Sequence, residues 1–364
     1  MKIVCVDKGG RNERLTLIKK GKAPRDFFYG SLGLKDKGFV VKHLSSNISY
    51  SGLIGKFCRL YEILFNKILN LGIRHFIISE LYEKLKSEDI IISFTNGFSL
   101  TLGYNSKKLS EKKVIGCFHG LSDINEKTYF LFRFFTEIII KKSLLNLDHI
   151  AFFGPEDRRN SIKKYNLPEI KTSIIEFGVD TEFWEPPKTK IQEDYFLSVG
   201  QDPNRDFDLL LKTNLNYKIR IHTNHKIFSD KNNILITNGT FWNSKLSDED
   251  LKSLYQNSIA VIVPLKDVYQ PSGQSVTLQA MSCGKPVILT KTKGIWDSNN
   301  LIDGYNCLLV KPNSLHDLEK AMIKLIKNPD LRKKIGKNAR NTAKKKYGIK
   351  LSTNSLKKII EATI

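Results

Sequence analysis

Pro271 to Thr290 read PSGQSVTLQAMSCGKPVILT, and the order of residue types in this stretch decides the fold. An apolar run, Ala260-Val261-Ile262-Val263-Pro264, precedes it. Ser272 and Gly273 then form a small polar turn, a short helix is predicted through Met281, and Gly284 is placed to cap its C-terminal end. Pro286 prevents any continuation, and a second apolar strand starts at Val287. Strand, turn, helix and strand in succession make a βαβ unit, the unit of parallel sheets. A turn of this kind directs unpaired helix N–H groups toward the strand ends, where anions bind. A phosphate-bearing ligand is therefore expected.

The same alternation extends in both directions. In the first half, Lys2 to Val6 is strand-like, and Phe27 to Lys37 is a predicted helix leading into Phe39-Val40-Val41. A long amphipathic stretch follows from Leu53 to Lys86, with a break near Leu71-Gly72. Buried strands are predicted at Asp89 to Phe94 and at Lys113 to Phe118. In the second half, strands are predicted at Tyr195 to Val199, Tyr217 to His222, Ala260 to Val263, Val287 to Leu289 and Cys307 to Val310. Basic amphipathic helices then cover Leu315 to Lys327 and Asp330 to Lys346. Between the halves lies Glu182-Phe183-Trp184-Glu185-Pro186-Pro187-Lys188, a charged, proline-bearing linker. The pattern predicts an α/β protein of two doubly wound domains facing a central cleft, with ligands at the carboxyl ends of the strands.

Composition narrows the class. A chain of 364 residues with 41% hydrophobic content can build two cores. Five scattered cysteines, odd in number and without metal-ligand spacing, indicate thiols in a reducing compartment. The start, MKIVCVDKGG, reads as a strand and not as a signal peptide. No run of about 18 uncharged apolar residues exists, so no membrane-spanning helix is predicted. Tyr129 to Ile140 comes nearest; Arg133 and Glu137 interrupt it, and it reads as a mostly buried helix. The expected location is the cytoplasm.

A net charge of +22, from 59 basic and 37 acidic residues, suits a solvated lysine-rich surface, anionic lipid or anionic substrates. Nucleic acid is not an expected partner, because no zinc finger, helix-turn-helix or aromatic-basic RNA motif accompanies the charge. Between Lys56 and Arg74, Phe57, Arg59, Tyr61, Phe65 and Lys67 either rest on anionic headgroups or form the ordinary exposed and buried faces of a helix.

The PSGQSVTLQAMSCGKPV segment resembles the donor-site signature of the retaining glycosyltransferases of family 4, also called glycosyltransferase group 1. In that family an acidic residue, seven others and a second Glu precede Ala-Met-Ala-x-Gly-x-Pro-Val. Ala280 to Val287 keep the tail of the motif, whereas Pro271 and Gln279 stand at the two acidic positions. Further segments match in order: Gly178-Val179-Asp180-Thr181 with Phe183, Phe196 to Gly200, Asp248 to Tyr255 then Ile259 to Pro264, and Asp303 to Val310. Together they cover roughly residues 147 to 347. The resemblance implies a GT-B fold of two Rossmann-like domains. It implies an acceptor-side domain over 1–177, a linker over 178–191 and a nucleotide-sugar donor domain over 192–346. Residues 347–364 would form a C-terminal helix packing back toward the first domain.

Transfer from a nucleotide sugar requires neutralising a diphosphate leaving group, holding the nucleoside and exposing one face of the sugar. Arg205, in the loop Gln201-Asp202-Pro203-Asn204-Arg205-Asp206, can give a phosphate two parallel hydrogen bonds; a salt-bridged or solvated side chain is the alternative. In the family an Arg and a Lys share this task. Gln201 stands at the usual Arg position and Arg205 near the usual Lys, so Lys266 is the expected second cation. The turn Ser272-Gly273-Gln274-Ser275 adds backbone N–H groups, with a serine as N-cap. Gln279 is expected to meet the ribose hydroxyls and Gln270 the sugar, with Asn204 beside them. His119, at the end of a strand, resembles the family's His facing the donor sugar and would donate to a sugar hydroxyl or to the departing phosphate. Asp123 and Glu156 are weaker polar candidates. Gly9, Gly10 and Arg25 are expected on the acceptor side.

These readings converge on a glycosyltransferase that moves a sugar, with retention, from a nucleotide diphosphate sugar to a glycan or lipid-linked acceptor at the inner face of a membrane. The resemblance implies that the leaving phosphate takes the acceptor proton, with no metal and no further cofactor. The changed acidic positions keep open a non-catalytic nucleotide-sugar-binding partner subunit, and the charge alone keeps open a nucleic-acid-binding protein.

Overall fold

The computed structural model of the chain describes residues 1–7, 9–45, 52–74, 76–109, 111–124, 128, 130–189, 194–238 and 246–364. The expected linker ends at 190–191, outside these residues, as does Tyr129. The chain forms two compact units. The first comprises Met1–Thr16, Phe28–Glu176 and Ser352–Ile364; the second comprises Leu17–Phe27 and Phe177–Leu351.

The first unit is built on six strands: β1 (Lys2–Asp7), β2 (Val40–Ser45), β3 (Ile90–Ser93), β4 (Lys113–Phe118), β5 (His149–Phe152) and β6 (Thr172–Ile174). They are parallel throughout and lie in the order β2-β1-β3-β4-β5-β6, with Val4 opposite Lys42 on one side and Ile91 on the other. Ile90 to Ser93 are buried at every position, as a strand covered on both faces requires. Helices α1 (Arg11–Lys19), α2 (Gly52–Leu69), α3 (Ile77–Leu85), α4 (Asn96–Tyr104), α5 (Arg133–Leu145) and α6 (Pro155–Tyr165) connect the strands.

The second unit repeats the scheme with β7 (Tyr195–Val199), β8 (Ile219–Thr223), β9 (Ile234–Asn238), β10 (Ser258–Val263), β11 (Val287–Thr290) and β12 (Leu308–Val310), ordered β12-β11-β10-β7-β8-β9 and again parallel. Its helices are α7 (Phe207–Leu211), α8 (Asp248–Asn257), α9 (Gln274–Ser282), α10 (Leu315–Lys327) and α11 (Pro329–Lys346). The last helix, α12 (Ile349–Glu361), lies almost entirely in the part of the chain that packs with the first unit.

Four features depart from the sequence reading. Phe27 to Lys37 is not one helix but two short 3-10 turns, Asp26–Phe28 and Ser31–Lys37. Tyr29 and Gly30 between them take left-handed φ values of 49° and 82°, which no α-helix accommodates. Strands β5, β6 and β9 were not expected, and β6 and β9 lie at sheet edges where burial is partial. Leu17–Phe27 packs with the second unit instead of the first. Finally, the segment around α5 is not mostly buried, since Phe130, Leu131, Phe134, Phe135 and Ile138 are all exposed.

Candidate functional site

In the second sheet β7 has β8 on one side and β10 on the other, so the strand order reverses between β7 and β10. Ligands of doubly wound sheets bind at the carboxyl ends of such a pair. The loop after β7 carries Gln201 to Asp206, and the turn after β10 leads to α9. The two are stitched together. Asp206 N donates to Pro264 O (3.0 Å), Lys266 N donates to Asn204 O (2.9 Å), and Arg205 forms an antiparallel bridge with Leu265. Asn204 Nδ2 donates to Ser272 Oγ (3.3 Å), and Gln270 Nε2 donates to Asp202 Oδ2 (3.1 Å). Gln201 Oε1 accepts from Asn224 N (2.7 Å). Asp206 caps α7 by accepting from Leu209 N.

Arg205 is held inside this framework with only 4% of its surface exposed. Its Nε and Nη1 are buried and meet no hydrogen-bond partner among the described residues. Burial lowers its pKa, with Asp202 acting in the opposite direction, yet a guanidinium stays charged at any physiological pH. The side chain runs beside two glycines. A Cβ on Gly200 would run into Arg205 Nε, and a Cβ on Gly273 would lie 3.6 Å from Nη1. Gly273 is the N-cap of α9, in the left-handed conformation with φ 81°, and no side chain caps the helix. That corrects the expected serine cap: Ser272 is buried and instead receives the Asn204 hydrogen bond. Two buried guanidinium donors and the N-terminus of a nine-residue helix thus lie side by side. Both carry positive charge, and an anion satisfies both.

Gln274 is buried and Ser275 half-buried in the first turn of α9. Lys266, just beyond β10, keeps its side chain exposed while its backbone is bound to the Arg205 loop. The structure therefore brings together Gln201, Asn204, Arg205, Lys266, Gln270, Ser272, Gly273, Gln274 and Ser275.

Gln279 belongs to a different group. It is 3% exposed, its Nε2 donates to Asp26 Oδ2 (2.9 Å), and its Oε1 accepts from Tyr255 OH (3.1 Å). Both ends of the amide are engaged inside the unit, which corrects the expected ribose contact. Asp26 also accepts from Asp180 N (2.6 Å) and Trp184 Nε1 (2.7 Å), and burial pushes its pKa up to about 6. Arg25 is corrected likewise. Its guanidinium forms a two-pronged pair with Asp180 (both contacts 2.7 Å) and reaches Glu182, so it fastens Leu17–Phe27 to the second unit.

In the first unit, His119 follows β4. Its ring stacks on Phe153 with centroids 4.0 Å apart, and His119 N donates to Asn96 Oδ1 (2.7 Å). Nε2 lies 3.1 Å from the Phe94 carbonyl oxygen, which can only accept. Nε2 therefore carries a proton and donates it. Gly9 and Gly10 follow β1, with Gly10 left-handed at φ 89° and its carbonyl accepting from Arg14 N. Asp123 is buried, and Glu156 pairs with Arg159 on the surface.

Two carboxylates escaped sequence reasoning. Asp157 accepts from the N–H groups of Gly120 (2.9 Å), Leu121 (3.1 Å) and Ser122 (2.8 Å), fixing the turn after His119; burial pushes its pKa up to about 6. Asp26 is the other. Nothing local marks either residue, because their partners are remote in sequence.

Two parallel, doubly wound sheets define the GT-B class, and solved structures of that class match the whole chain. HepE of Anabaena in complex with UDP aligns over 100% of both chains with a TM-score of 0.66 at 14% identity. Sucrose-phosphate synthase from Thermosynechococcus elongatus aligns over 100% of both with a TM-score of 0.68 at 16% identity. At the family level, residues 209–342 match the model of the glycosyl transferases group 1. The uncharacterized glycosyltransferase MJ1069 of Methanocaldococcus jannaschii is 27% identical over 314 residues, 76% of each chain. The resemblance to group 1 glycosyltransferases thus holds in the second unit, where the Arg205 loop and α9 lie.

Proposed function

We propose that the chain is a retaining glycosyltransferase of family 4 whose donor is a nucleoside diphosphate sugar. The observation that carries this reading is the buried Arg205 guanidinium, with two unmatched donors beside the uncapped N-terminus of α9. A diphosphate bound there would take two parallel hydrogen bonds from Arg205 and further ones from the α9 backbone N–H groups. Lys266 is the second cation, reaching in from the exposed side. As the glycosidic bond to the phosphate breaks, negative charge grows on the leaving oxygen, and preorganised donors stabilise it without solvent rearrangement. The leaving phosphate takes the proton of the acceptor hydroxyl. No step requires a metal or a further cofactor, because cations and a helix terminus supply the neutralisation.

HepE binds UDP and UDP-glucose, which makes a uridine nucleotide the first donor to test. The first unit, with His119, Gly9 and Gly10, is assigned the acceptor, a glycan or lipid-linked intermediate handled in the cytoplasm. Gln279 being engaged internally and Pro271 being buried favour one rival, a nucleotide-sugar-binding protein without transfer. In both readings Arg205 binds phosphate.

The test is thermal stabilisation of the purified protein by UDP, GDP, ADP, dTDP and CMP, with Arg205→Ala alongside. A nucleotide at about 100 times its Kd adds about 2.7 kcal/mol. Stabilisation by one diphosphate, lost in the Arg205 variant, is expected. Failure of every nucleotide to stabilise the protein would sink the proposal. Release of free nucleotide from the matching sugar donor, on adding acceptor extract, then separates transfer from binding alone.

A further inference from the structure

Helix α2 is turned the wrong way round for a soluble surface helix. At the 3.6-residue repeat, Leu53, Phe57, Leu60, Tyr61, Leu64 and Ile68 form one stripe, and every one of them is exposed, Phe57 by 70%. The opposite side packs on the unit and contains the helix's single acidic residue, Glu62, whose buried carboxylate accepts from Phe76 N (3.0 Å). The charged side chains of α2 that reach solvent are therefore all cations: Lys56, Arg59 and Lys67.

A second apolar surface adjoins the end of this helix. Thr128 Oγ1 donates to the carbonyl of Leu69, the last residue of α2 (2.8 Å). Two residues later the chain enters Phe130, Leu131, Phe134, Phe135 and Ile138, all exposed, Phe134 by 71%. Their spacing again makes one stripe, and Arg133, Lys141 and Lys142 outnumber Glu137 among the exposed charges of α5. Clusters of exposed apolar side chains of this kind mark an interaction site. Aromatic and aliphatic side chains interleaved with cations, on helices not long and apolar enough to cross a bilayer, match the interface of an anionic membrane.

We propose that α2 and the Phe130–Ile138 segment form a docking surface for anionic lipid, with the aromatic side chains inserted among the headgroups and the flanking cations on lipid phosphates. The charge argues against a second copy of the chain: two such surfaces face to face would oppose cation to cation. The inference concerns the first unit and does not depend on the donor site.

The test uses the full chain with vesicles of phosphatidylglycerol and phosphatidylcholine, and with vesicles of phosphatidylcholine alone, in co-sedimentation. Binding to the anionic vesicles is expected, weakened at least tenfold by Phe134→Ser with Phe135→Ser and weakened by 0.5 M salt. Lys344→Glu with Lys345→Glu, on α11 of the other unit, should leave it within twofold. Phe134→Trp gives an independent readout, a blue-shifted emission quenched by brominated acyl chains. The proposal is overturned if anionic vesicles are not bound, if the serine pair leaves binding unchanged, or if the α11 pair alone abolishes it. It is equally overturned if the serine pair merely abolishes a dimer and the tryptophan emission ignores lipid.

Discussion

Asp26 and Gln279 lie 253 positions apart and share one hydrogen bond in the interior of the second unit. The resembled family has a Glu at the position of Gln279. Here a Glu would place a second carboxylate against a buried Asp26, an arrangement in which like charges repel with little screening. Glutamine meets the local need, donating to Asp26 and accepting from Tyr255. Burial raises Asp26 to about 6 in the folded state, against about 3.9 unfolded. The folded protein thus holds this proton more tightly, so stability attributable to Asp26 is present below pH 4 and is lost as pH rises toward 6. Relative to Asp26→Asn, the wild type is expected to lose up to about 3 kcal/mol between pH 4 and 6. Urea midpoints of both proteins at pH 4, 5, 6 and 7 measure the difference, and a gap independent of pH would refute the assignment. Arg205 is the complementary case. The sequence suggested a phosphate ligand from its loop, but only the structure shows that its Nε and Nη1 are buried without a partner among the described residues.

At the scale of the element, α9 shows how much a short motif fixes. The left-handed caps fall on glycines at both ends, Gly273 at φ 81° and Gly284 at φ 73°, and Pro286 starts the next strand's approach. Gly273 has a further constraint, since a Cβ there would lie 2.7 Å from Val263 Cγ1. Gly273→Ala is therefore expected to cost about 1–2 kcal/mol from the backbone conformation alone, and to tilt the N–H groups away from the ligand. Chemical denaturation reads the first effect and the nucleotide-induced melting shift reads the second. A variant with normal stability and an unchanged shift would show that α9 does not bind the ligand. Helix α2 illustrates the limit of element-level reading: its amphipathic period was visible, but which side faces solvent was not. That is set by what packs against it, and Glu62 faces inward while Leu60 and Leu64 face solvent.

At the scale of the whole molecule, each unit is completed by chain from the far end of the sequence. Residues Leu17–Phe27 enter the second unit, and Ser352–Ile364 complete the first. In the first unit the C-terminal segment packs hard against Gly30, where a Cβ would lie 2.5 Å from Thr353 N and 2.6 Å from the Ser352 carbonyl carbon. Thr353 Oγ1 also donates to the Gly30 carbonyl (2.9 Å). Gly30→Ala must displace α12, because its obstacles are backbone atoms, and Gly30 is left-handed as well. A loss of roughly 2–4 kcal/mol is expected, read as a lower urea midpoint for the first unit. An unchanged midpoint would mean that α12 contributes little to that unit.

The sequence by itself determined the alternation of strands and helices, the βαβ unit after β10 and the left-handed glycine turn at the start of α9. These rest on periodicity, caps and turn residues, which act over a few positions and can be read in order. Tertiary structure alone decided that Nε and Nη1 of Arg205 meet no partner among the described residues, that Gln279 bonds Asp26 and Tyr255 while Arg25 pairs with Asp180, and that Phe57, Tyr61, Phe134 and Phe135 are exposed. Each of these depends on which remote segment lies opposite a side chain. That is a property of packing, and no local pattern encodes it.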